Sequence, residues 1–167
     1  MVVRLARGAV TLGVTVVLGI VLYGLQPQGA PAPPPTGVQQ VSLVQRDRAW
    51  QPIPLSRGGA AGSVWYDADG RAFAFQLRAA GLVPQARYVL VLRVDSTEYA
   101  TACRVADAHG EIAIDTALTT FAAGTCADDA PAPPPQPVRG AYDITFHIEC
   151  GHADILLADG LAHFTGR

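Results

Sequence analysis

The 167-residue chain contains no lysine and no asparagine, and all 12 of its basic residues are arginine. Lysine and asparagine codons are AT-rich, so the two absences point to a GC-rich genome rather than to a physical requirement. Without asparagine there is no acceptor for N-glycosylation. The formal charge is only −2, and no basic stripe follows the first residues. That excludes nucleic acid as a partner, because phosphate binding needs clustered cations. There is no G-x-S-x-G elbow, and Ser42, Ser56, Ser63 and Ser96 have no distinctive setting. No C-x-x-C-H haem attachment occurs either. The expectation is a protein that is not an enzyme and carries no cofactor.

What the chain does have is an uncharged run, GAVTLGVTVVLGIVLYGL, from Gly8 to Leu25. At ~1.5 Å per residue, roughly 18 residues span about 27 Å, enough for a bilayer core. Arg4 and Arg7 precede the run and the next basic residues are Arg46 and Arg48. This charge bias predicts a cytoplasmic N-terminus, with the remainder outside the membrane. The alternative is a cleaved signal peptide. However, its only A-x-A site, Ala30-Pro31-Ala32, is followed by Pro33, which disfavours processing. Gly8, Thr11, Thr15 and Gly19 recur at three- or four-residue spacing, a small-residue face on which another transmembrane helix could pack. The expected organisation is a basic cytoplasmic tip at 1–7, a transmembrane helix at 8–25, a proline-rich stalk at 26–38 and a folded domain at 39–167. The expected location is a bacterial inner membrane, with the domain in the periplasm.

The hexapeptide APAPPP occurs twice, at Ala30–Pro35 and Ala130–Pro135. Such runs favour extended polyproline II, since their φ is fixed and they lack amide donors. The first copy reads as a stalk, the second as an exposed loop. Cys103, Cys126 and Cys150 all fall on the outer side, where disulfides persist. An odd count allows one bridge and one free thiol, with three possible pairings.

The rest of the chain alternates with a period of two. Strands are predicted at Val41–Gln45, Ser63–Tyr66, Arg71–Leu77, Ala86–Val94, Tyr99–Val105, Glu111–Asp115, Ala141–Glu149, Ala153–Leu157 and Leu161–Thr165. Asp67-Ala68-Asp69-Gly70 and Asp107-Ala108-His109-Gly110 read as two like hairpin turns, and Asp159-Gly160 as a third. Asp67 and Asp69 lack the further oxygen ligands of a calcium loop, so a plain turn is the better reading. Many short strands with regular turns indicate a two-sheet sandwich. In Tyr142–Glu149 the even positions point inward, which places Cys150 on the buried face.

Leu82-Val83-Pro84-Gln85-Ala86-Arg87-Tyr88, followed by Val89–Leu92, resembles the L-x-P-x-x-x-Y corner of fibronectin type III and other immunoglobulin-like domains. The family usually has glycine where Gln85 stands. It also places this corner before one of the last strands, whereas here much of the domain follows. The resemblance implies an immunoglobulin-like antiparallel sandwich in which the Tyr88 hydroxyl bonds back to the corner backbone. It implies no catalysis.

His147-Ile148-Glu149-Cys150-Gly151-His152-Ala153-Asp154 concentrates possible metal ligands. His147 and Glu149 share one strand face, Cys150 takes the other, and His152 follows a turn. His147, His152 and Cys150 are therefore the candidate ligands, with His163 as a possible fourth. Trp50 is expected to cap the open end of the core, the alternative being an anchor for a protein contact. Together these features suggest a non-catalytic, single-span accessory subunit of a membrane complex, for example a respiratory or photosynthetic one. Its partners would be other transmembrane proteins and the lipid bilayer. The competing readings are a free-standing periplasmic or surface binding module and a periplasmic metal-binding protein.

Overall fold

The computed structural model describes residues 37–124, 132–151 and 153–167. The chain divides into two units, 1–33 and 34–167. The apolar run with Gly8, Thr11, Thr15 and Gly19 lies outside the described residues, as do Cys126 and His152. Among the described residues, no helix is long and apolar enough to cross a membrane.

The described unit is mainly β. Its strands are β1 (Val38–Val44), β2 (Ala61–Asp67), β3 (Asp69–Gly70), β4 (Phe73–Ala80), β5 (Arg87–Val94), β6 (Thr97–Val105), β7 (Ile112–Leu118), β8 (Thr120–Phe121), β9 (Gln136–Pro137), β10 (Gly140–Cys150), β11 (Ala153–Ala158) and β12 (Ala162–Gly166). Ten of these form one connected ladder, and β8 and β9 pair separately. One stretch of the ladder runs β1-β2-β4-β7, and another runs β6-β5-β10, with β11 and β12 on the far side of β10. The two stretches fold over one another, an arrangement compatible with a β-sandwich.

Period-two alternation is what makes this possible. On β10 the buried residues are Tyr142, Ile144, Phe146 and Ile148, with more exposed neighbours between them. On β4 they are Phe73, Phe75, Leu77 and Ala79. Rings from these two unpaired strands meet: Phe73 lies 6.1 Å and Phe75 5.5 Å from Phe146, between ring centroids. Phe73 also touches Tyr66, Phe121 and Phe164 at 5.9, 6.1 and 5.0 Å. Such stacked, tilted and edge-on ring pairs add to the burial of apolar area, which is the main favourable term in folding.

β10 is long enough to take two partners in succession on one side. Its first half pairs with β12, from Gly140↔Gly166 to Ile144↔Ala162. Its second half pairs with β11, from His147↔Leu157 to Cys150↔Ala153. Asp159-Gly160 is therefore a jog between two strands on the same side of β10 rather than a hairpin turn. At the jog Leu157 and Ala158 pair with Val44 and Leu43 of β1, and the Asp159 N–H donates to the Ser42 carbonyl at 2.8 Å. β11 thus belongs to both stretches of the ladder.

One more sequence expectation is revised. β6 pairs with β5 and β7 with β4, so the Asp107–Gly110 turn carries the chain from one stretch to the other instead of closing a hairpin. Ala106 and Gly110 bond back to the preceding corner, through Gln85 N–H to Ala106 O at 3.1 Å and Leu82 N–H to Gly110 O at 3.0 Å. The first turn does join paired strands, β2 and β4. Within it, Asp69-Gly70 peels away to pair in parallel with Thr165-Gly166, and Arg167 forms an ion pair with Asp69.

The corner at 82–88 is locked as the sequence suggests. The Tyr88 hydroxyl accepts the Val83 N–H at 2.8 Å, and the ring is buried. Gln85 has φ +60°, a conformation that favours glycine. A second tyrosine does similar work unannounced. Tyr142, near the start of β10, shares its single hydroxyl proton between the carbonyls of Arg139 at 2.6 Å and Pro137 at 2.9 Å.

Phe73→Ala is expected to cost about 3–5 kcal/mol of unfolding free energy, because a fully buried ring is replaced by a cavity that its five ring neighbours cannot all fill. Urea denaturation checks this. A loss under ~1 kcal/mol would mean that the ring cluster is not what joins the layers.

Candidate functional site: an exposed tryptophan turn and a hairpin of possible ligands

Two features stand out from the framework. The first is the turn after β1. The Asp47 carboxylate accepts the N–H groups of Ala49 at 2.8 Å and Gln51 at 2.9 Å. The backbone closes through Trp50 N–H to Asp47 O at 3.0 Å and Asp47 N–H to Gln51 O at 2.9 Å. Asp107 builds the same turn, accepting His109 N–H at 2.8 Å and Glu111 N–H at 2.9 Å. In that turn the fourth residue is Gly110, at φ +75°. A side chain there would strike the Leu82 carbonyl. In the first turn the same place is filled by Trp50, at φ +59°.

A bulky residue at positive φ is an outlier, with a cost of order 1–3 kcal/mol. Trp50 does not recover this cost by burial, since it is 65% exposed. The expectation that it caps the core is therefore corrected. The indole stays largely in solvent, with Arg46 beside it. The guanidinium carbon lies 5.8 Å from the indole centroid. Arg46 Nη1 donates to the Trp50 carbonyl at 2.9 Å, and Nη2 reaches Asp159 Oδ1 at 2.8 Å. An aromatic ring over a fixed cation is a rigid, half-apolar contact surface.

A groove of about 670 Å³ opens elsewhere on the sheet, with Leu55, Trp65, Arg78, Arg104, Val105 and Asp107 among its lining. Leu55 and Val105 are both more than half exposed. Arg78 is occupied by a two-pronged bond to Asp115, at 2.9 and 3.0 Å.

The second feature is the β10–β11 hairpin. His147 and Glu149 lie on its outer face. Opposite them β11 carries a bulge: Ile148 pairs with Leu156 but Glu149 pairs with Asp154, leaving Ile155 without a partner. Strict alternation would have put Asp154 on the same face as buried Leu156. The extra residue lets Ile155 and Leu156 both pack towards the core while Asp154 stays in water. As a result the ligand atoms of His147, Glu149 and Asp154 all lie within 4.8 Å of one another.

The other sequence candidates fall elsewhere. Cys150 is a half-buried free thiol packed against the core cluster. His163 is cross-strand from Asp143, with Nδ1 at 2.6 Å from its Oδ1. Cys103 is disulfide-bonded. Asp154 was missed as a partner for His147, and a doubled apolar step, Ile155-Leu156, was the only signal of the bulge.

The backbone N–H groups of Glu111 and His109 hold the Asp107 carboxyl below the ordinary carboxylate range. Because its folded pKa is depressed, its stabilising effect is present above the unfolded value near ~4 and is lost as pH falls through the folded one. Wild type should therefore melt above Asp107→Asn at pH 6, with the gap closing towards pH 2. A gap that is independent of pH in thermal melts would contradict this.

No family model, no curated protein and no solved structure matches the chain.

Proposed function

We propose that this is a non-catalytic, membrane-tethered domain of immunoglobulin-like build that serves as an accessory subunit, holding a protein partner on the outer side of a bacterial inner membrane. The observation that carries the reading is Trp50, strained at positive φ, exposed, and backed by an Arg46 that three contacts hold in place. Tryptophan and arginine are the residues on which binding energy most often concentrates. A side chain fixed before contact loses little entropy on binding. Local strain of this kind is typical of functional positions.

The fold reading has its own support. Taken in chain order, β2, β4 and β7 correspond to the A, B and E strands of an immunoglobulin-type sandwich, and β5, β10 and β12 to C, F and G. Tyr142 then stands where that family keeps its corner tyrosine, at the start of the F strand. The tether rests on the apolar run at 8–25 with its preceding arginines, and the small face of Gly8, Thr11, Thr15 and Gly19 offers a second contact within the membrane.

Extraction of the full chain in mild detergent should give co-migration with larger membrane proteins. Trp50→Ala should release it by at least tenfold while leaving the melting temperature about unchanged, since the indole is 65% exposed and alanine keeps the same left-handed backbone. Wild type migrating alone would sink the proposal, and so would an unaffected Trp50→Ala complex.

A further inference from the structure

The β10–β11 hairpin carries an inference that is independent of the partner reading. Its outer face sets two carboxylates directly across from each other, Glu149 against Asp154, in one ladder pair. The bulge at Ile155 creates this arrangement, since without it Asp154 would face inward opposite Cys150. Bulges commonly re-aim side chains beside functional sites.

His147 completes the group. Its side chain is only 14% exposed, and Nδ1 lies 3.7 Å from Asp154 Oδ1, longer than a hydrogen bond. Its other ring nitrogen is 3.5 Å from the Thr145 hydroxyl. One imidazole nitrogen and two carboxylate oxygens thus lie within 4.8 Å of one another. Ligand atoms at ~2.0–2.2 Å from a tetrahedral ion stand about 3.3–3.6 Å apart, so closure requires about 1 Å of movement. Asp154 can supply that movement, as half of its side chain is in solvent.

We propose that His147, Glu149 and Asp154 bind one divalent first-row transition-metal ion, with Zn²⁺ the natural probe. The donor set selects this class. Nitrogen with two oxygens is too hard for Cu(I), and three protein donors are too few for the six to eight oxygens of Ca²⁺. Three protein ligands leave a fourth position for water or for a group from another molecule. Bound metal would clamp the end of the hairpin.

The test is isothermal titration of the chelator-stripped full chain, in detergent, with Zn²⁺. One equivalent should bind. His147→Ala and Asp154→Asn should each weaken binding at least tenfold, while His163→Ala, on the neighbouring strand, should leave it unchanged. Zn²⁺ should also raise the melting temperature of wild type and not of Asp154→Asn, as expected when a ligand binds only the folded state. Asp154 is exposed, so its variant keeps the test decisive if the His147 variant misfolds. Substoichiometric binding by wild type, or equal affinity in Asp154→Asn, overturns the proposal.

Discussion

The contact between Phe73 and Phe146 is the constraint on which the rest of the structure depends. The two rings come from strands that do not pair with each other, so their meeting is a contact between layers rather than within one. Around them sit Tyr66, Phe75, Phe121 and Phe164, drawn from β2, β4, β8 and β12. The charged residues stay outside this cluster: among the described residues no buried side chain is polar apart from the tyrosines, and no buried side-chain polar atom lacks a partner. Surface ion pairs such as Arg93 with Glu98 add little by comparison. With the layers held by rings, the outer faces and turns are free to carry other residues.

Much of this architecture can be read from the chain. The alternation in Tyr142–Glu149 and in Phe73–Leu77 defines two core faces directly, because a strand offers only two sides. The Leu82–Tyr88 corner is legible because its residues bond one another locally. What could not be read is where paired partners lie. The Asp107–Gly110 turn has the same local chemistry whether its flanking strands pair or part, so it looks like a hairpin and is a crossing. Asp159-Gly160 misleads for the same reason, since β10 is long enough to hold both strands it joins.

The candidate sites divide along the same line. The face shared by His147 and Glu149 follows from period two alone. Asp154 joins them only through a one-residue irregularity, and an irregularity inverts every inference from alternation beyond it. Trp50 was misjudged because tryptophan suggests burial. The better signal was Asp47 three residues earlier, the same offset that separates Asp107 from Gly110. The spacing of Pro137 and Tyr142, close to that of Pro84 and Tyr88, hinted at the second corner in the same way.

β11 has a further consequence through its double membership. It pairs with β10 on one side and β1 on the other, and β10 in turn joins β5 across a long separation in sequence, as in Ile144↔Val94. These late elements supply the central rungs and the stitch between layers. During synthesis the earlier strands would therefore emerge with their edges open, and closure would wait for β10 and β11, which follow them in the chain. Contacts so distant along the chain form slowly. A nascent chain of this kind depends on passing its exposed interval without pairing to its neighbours.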